Sequence, residues 1–104
     1  MSGIIGLSPD DDSAGPLLVS ELFRQGQIGR NQFSLIMSFL TDQDSYLTFG
    51  GVPSFISNLD NFVCHRVAGS FHWQLKLLGI RVGNRLIEPI HVSLMLTDSG
   101  TTLT

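Results

Sequence analysis

Asp98 stands between an apolar run, Val92 to Leu96, and the small residues Ser99-Gly100-Thr101-Thr102. An aspartate delivered by a strand and followed at once by Ser-Gly sits at the mouth of a tight turn. Small residues there let a second turn of the same kind come close. The hydroxyls of Ser99, Thr101 and Thr102 can hydrogen-bond the carboxylate or a facing loop. Taken alone, these few residues also describe a plain Asx turn, in which the side chain bonds its own backbone. For the motif by itself, that is the simpler reading.

The other chemistry-bearing residues offer less. His65, His72 and His91 are widely separated, and their spacing does not suggest a metal site. Asp10-Asp11-Asp12 lacks the alternating ligands and distal Glu of a calcium loop, so it reads as a solvated turn leading into a helix. No metal or other cofactor is expected. Cys64, the single cysteine, excludes an internal disulfide and reads as a buried apolar filler.

The bulk composition limits the remaining classes. Apolar residues make up 42% of the 104 and charged residues only 14%, which marks a chain able to build a core rather than a disordered one. Such low charge is unusual for a small independent domain and suits a piece of a larger protein. The net charge is −3, with Lys76 the only lysine, so no basic stripe exists for nucleic acid. No apolar run reaches the roughly 18 residues needed to span a bilayer. The first residues lack the basic region and apolar core of a signal peptide.

The pattern predicts a mostly β chain with one short helix. Gly3 to Leu7 reads as a strand. Leu17–Gln25 reads as a helix with Pro16 in its first position, Gly26 ending it, and Leu18, Leu22 and Phe23 as its apolar face. Phe33 to Leu40 alternates as a strand with Phe33, Leu35, Met37 and Phe39 on one face, and Tyr46 to Phe49 completes a hairpin. Phe62 to Val67 reads as a strand, and Phe71 to Leu77 as another with Trp73 in the core. Gly83-Asn84 makes a turn, and His91 to Thr97 is the strand that delivers Asp98.

The order of these blocks adds what the last motif lacks. Gly3-Ile4-Ile5-Gly6-Leu7, Leu22-Phe23-Arg24-Gln25-Gly26, Phe33-Ser34-Leu35, Leu47-Thr48-Phe49-Gly50-Gly51, Trp73-Gln74-Leu75 and Asp98-Ser99-Gly100-Thr101-Thr102 follow one another along nearly the whole chain. In that order the chain resembles the pepsin-like eukaryotic aspartic proteases. The resemblance implies a two-lobed fold, with 1–51 as the later part of the N-terminal lobe plus inter-lobe strands. Residues 52–104 would then begin the C-terminal lobe and end at its aspartate motif.

The resemblance also implies an aspartic endopeptidase that cleaves a peptide or protein substrate. In that family two aspartates, one from each lobe, share a proton across a bound water. Asp98 would be the second lobe's carboxylate. Ser99 would supply the hydroxyl that reaches the opposite loop, Gly100 would let the backbone approach, and Thr101 would bond the outer carboxylate oxygen. Leu96 and His72 are candidates for substrate contact, with ordinary structural roles equally open. By analogy with the family, the compartment would be secretory, vacuolar or lysosomal.

Three departures qualify the expectation. No second Asp-Thr/Ser-Gly occurs in these residues, nor does the family's flap tyrosine, so the chain is expected to be an incomplete fragment, inactive alone. Ile4-Ile5-Gly6 resembles the strand that supports the other aspartate, and Asp98's own supporting strand would follow Thr104. Arg85 to Ser93 also lacks the cysteine of the small disulfide loop found in many relatives. The alternative is a non-catalytic peptide-binding or degenerate protease-like module. A retroviral-type dimeric protease fits poorly, because its aspartate precedes its flap.

Overall fold

The computed structural model describes residues 2–9, 15–91 and 93–100. Met1, Asp10–Ala14, Val92 and Thr101–Thr104 lie outside them, and with them the triple aspartate and one proposed support residue, Thr101. The described residues form one α-helix, a single 3-10 turn (Leu59–Asn61) and six short strands. They fall into two units: residues 2–7 with 15–63, and residues 8–9 with 64–100.

In the first unit, α1 (Leu18–Arg24) forms where the 3.6-residue pattern predicts it. Its N-cap is Leu17, with extended φ −70° and ψ 140° and no side-chain cap, so Pro16 precedes the cap instead of opening the helix. The C-terminus is better specified. Gly26, at φ 71°, lets its own N–H reach Phe23 O (3.0 Å) and the next N–H, of Gln27, reach Leu22 O (2.9 Å). That pair of bonds is a Schellman stop, and it needs a residue that accepts positive φ. The helix buries Val19 (8% exposed), while Phe23, expected inward, is exposed.

Strands β1 (Phe33–Ile36) and β2 (Tyr46–Phe49) form the expected antiparallel hairpin, with Phe33 opposite Phe49 and Ser34 opposite Thr48. Pairing stops at Ile36, four residues short of the predicted strand end. Ser38 diverts the chain: its N–H bonds Ser45 Oγ (3.0 Å) and its hydroxyl accepts from Leu40 N (3.2 Å). Met37 and Phe39 therefore leave the sheet, and Phe39 is 96% exposed. Beneath this loop lies an open apolar groove of about 690 Å³, with Met37, Leu40, Tyr46 and Phe55 among its walls. Tyr46 and Phe55 meet edge to face, 5.0 Å between centroids.

In the second unit, β3 (Gln74–Leu77) pairs with β6 (Ser93–Leu96), and β4 (Ile80–Val82) pairs with β5 (Arg85–Ile87). The β4–β5 turn is Gly83-Asn84, as predicted. Gly83 has φ 58° and no non-glycine has positive φ among the described residues, the combination of a type II′ hairpin.

Several expected strands do not form. Gly3 to Leu7 and Phe62 to Val67 join no ladder among the described residues, where β1–β6 pair only with one another, and a strand needs a neighbouring strand to take its N–H and C=O groups in regular order. The predicted 71–77 strand begins only at Gln74, because Gln74 N bonds His72 O (2.8 Å) and bends the chain there. Trp73 and Cys64, both expected inside, are exposed.

Burial is scarce throughout. All three sheets are two-stranded, and such hairpins are marginal by themselves. Val19 is the one buried hydrophobic residue among those described, whereas Ile4 (99%) and Ile90 (94%) stand almost fully in solvent. The accessible surface is 9304 Å². Two separately folded units of half this mass would together expose about 7,000 Å².

Two measurements test these local devices. Gly50 has φ 82°, its N–H bonds Gln32 O (2.7 Å), and an added Cβ would lie 2.9 Å from Ile28 Cβ. Gly50→Ala should destabilise the β1–β2 hairpin by about 1–3 kcal/mol, read as faster amide exchange in both strands. Gly29→Ala, with open space around it, should change little, and equal effects would contradict the account.

The second concerns the exposed ion pair on α1. Arg24 donates to both Glu21 oxygens (2.8 and 2.6 Å), and Gln25 donates to one of them (2.6 Å). These bonds, Arg24's foremost, hold the Glu21 carboxyl at about 2 against an ordinary 4.5. A depressed carboxyl stabilises the folded state above its unfolded pKa. The pairing's contribution is therefore complete above about pH 4.5 and is lost as pH falls toward 2. An NMR titration of Glu21 should show a midpoint near 2, and Arg24→Gln should move it back toward 4.5.

Candidate active site

Asp98 is carried by the β3–β6 ladder. Gln74 lies opposite Leu96, Leu75 opposite Met95, Lys76 opposite Leu94 and Leu77 opposite Ser93. One step beyond, Thr97 N donates to Trp73 O at 2.9 Å, so the ladder holds the chain up to the residue before Asp98. The β-branched and long apolar side chains around Leu94–Leu96 favour extended backbone, and Ser99-Gly100 then bends away from it.

The bend is an Asx turn. Gly100 N donates to Asp98 Oδ1 at 2.9 Å, which fixes one carboxylate oxygen against the backbone. The turn reading and the active-site reading thus describe the same geometry. An Asx turn is how the chain presents the carboxylate. Asp98 and Ser99 are exposed, leaving the carboxylate accessible to another group.

Gly100 has no positive φ, and a Cβ placed on it would meet Asp98 Oδ1 at 3.4 Å, an ordinary contact. Nothing among the described residues of this unit forces glycine there. The backbone-approach role that the resemblance assigns to it concerns a facing loop.

The remaining site residues divide clearly. Leu96 ends β6 two residues before Asp98 and is exposed. His72 is exposed at the same end of the ladder, where its carbonyl accepts from Gln74 N. Thr101 lies outside the described residues. Sequence reasoning placed Trp73 in a core and missed its service to the site, the carbonyl that anchors Thr97. Only the β3–β6 register reveals this, because that pairing skips the intervening β4–β5 hairpin. Among the described residues, no three His, Cys, Asp or Glu side chains gather as a metal site. No helix among them is long and apolar enough to cross a membrane.

A family model, eukaryotic aspartyl protease, matches residues 1–104. The chain belongs to the eukaryotic aspartyl protease family. The match spans every block from Gly3 to Thr102, so the mostly β architecture with one short helix is a pepsin-like one, and the family's chemistry is proteolysis. None of the curated proteins matches the chain.

The Asx geometry makes a direct prediction. Asp98→Asn keeps an acceptor oxygen at the same place and should retain the Gly100 amide's hydrogen-bonded chemical shift. Asp98→Ala should lose it and speed that amide's exchange roughly 5–10-fold, as the loss of one bond worth about 1–1.5 kcal/mol requires. An unchanged Gly100 signal in Asp98→Ala would show that the turn is held by something else.

Proposed function

We propose that this chain contributes Asp98 as one of the two catalytic carboxylates of an aspartic endopeptidase. The observation that carries the reading is the exposed Asp98 carboxylate, held by Gly100 N at the end of a strand, in a chain that belongs to this protease family. The same reading assigns 1–51 to the N-terminal lobe and its inter-lobe strands, and 52–104 to the C-terminal lobe.

The chemistry follows from electrostatics. Two carboxyl groups about 3 Å apart cannot both ionise cheaply, so one holds its proton when the other has lost it; pepsin is the type case. The ionised member takes a proton from the bound water as that water attacks the scissile carbonyl carbon. The protonated member hydrogen-bonds the carbonyl oxygen and supports the charge that develops there. No acyl-enzyme forms, and the pair titrates as a unit.

In this scheme Gly100 N orients Asp98 Oδ1, and the exposed carboxylate faces the bound water and the partner carboxyl. Ser99 and Thr101 supply hydroxyls to the carboxylate or to the facing loop, while Leu96 and His72 border the substrate. The peptide substrate lies extended across the pair.

Two outcomes test the proposal. In the protease that contains this sequence together with a second Asp-Thr/Ser-Gly, Asp98→Asn should lower kcat by about 10²–10⁴-fold or more with KM little changed. The isolated 104 residues, holding one such motif, should cleave no peptide, and pepstatin-sensitive hydrolysis by them would overturn that expectation. If Asp98→Asn left activity intact in the complete protease, Asp98 would not be catalytic. Peptide binding by the chain that survives Asp98→Asn would instead favour a non-catalytic binding module.

A further inference from the structure

We draw no further inference here: the strongest candidate, the open apolar groove beside the β1–β2 hairpin, walled by Met37, Leu40, Tyr46 and Phe55, carries nothing because nothing in the structure shows what covers it.

Discussion

The position of Asp98 depends on one antiparallel ladder. Four residues of β3 and four of β6 are brought together across fifteen intervening residues, Leu77 and Ser93 being the inner pair. The β4–β5 hairpin shortens that span, since its turn at Gly83-Asn84 folds six of those residues back on themselves. The bond from Thr97 N to Trp73 O then closes the ladder directly before the aspartate. Each of these contacts is made by backbone, so side-chain changes along β3 or β6 reach Asp98 through the register. A shift of one residue would turn every side chain of β6 to its other face.

Backbone bonds give direction, but burial gives strength, and here burial is small. Two-stranded sheets leave a free edge on every strand and two faces for water to reach. The large apolar residues beside these elements, Phe39, Leu78 and Ile90 among them, remain exposed. Exposed apolar surface of this extent marks a place where another apolar surface would be buried. This bears on function, because a catalytic carboxylate must be held to within about half an ångström by packed supporting residues. The ladder aims Asp98, and a covered β3–β6 face would be needed to hold it to that tolerance.

What the sequence made legible were features set by local chemistry. The helix, its glycine stop at Gly26, the Gly83-Asn84 turn and the β1–β2 hairpin each follow from a few neighbouring residues. The features that depend on a distant neighbour were not legible. Ile4-Ile5 and Phe62-Val63 have the composition of strands and no partner strand among the described residues, so they do not form them. Phe39 fits the alternation of its segment, yet Ser38 and Ser45 bond each other and turn it out. Cys64 and Trp73 have the chemistry of core residues in a chain with almost no core to enter. At the site, Asp98 and Gly100 could be placed from the motif, whereas the anchoring role of Trp73 requires knowing which strand β6 pairs with.

The same distinction between local and distant applies to the chemistry. The Asx turn is a local device, complete within three residues, and it suffices to present a carboxylate. Water activation by the proposed mechanism demands two protonation states at one pH, a base that is ionised and an acid that is not. A lone exposed carboxylate in water is mostly one or the other. Only a second carboxyl within a few ångströms, screened from solvent, separates the two states by making the second ionisation costly. In the proposed mechanism Asp98 would therefore acquire its catalytic character from a facing group, and the small size of Ser99 and Gly100 would serve that encounter more than the turn itself. The contact at Gly100 agrees, since among the described residues an added Cβ would meet only Asp98 Oδ1, at 3.4 Å.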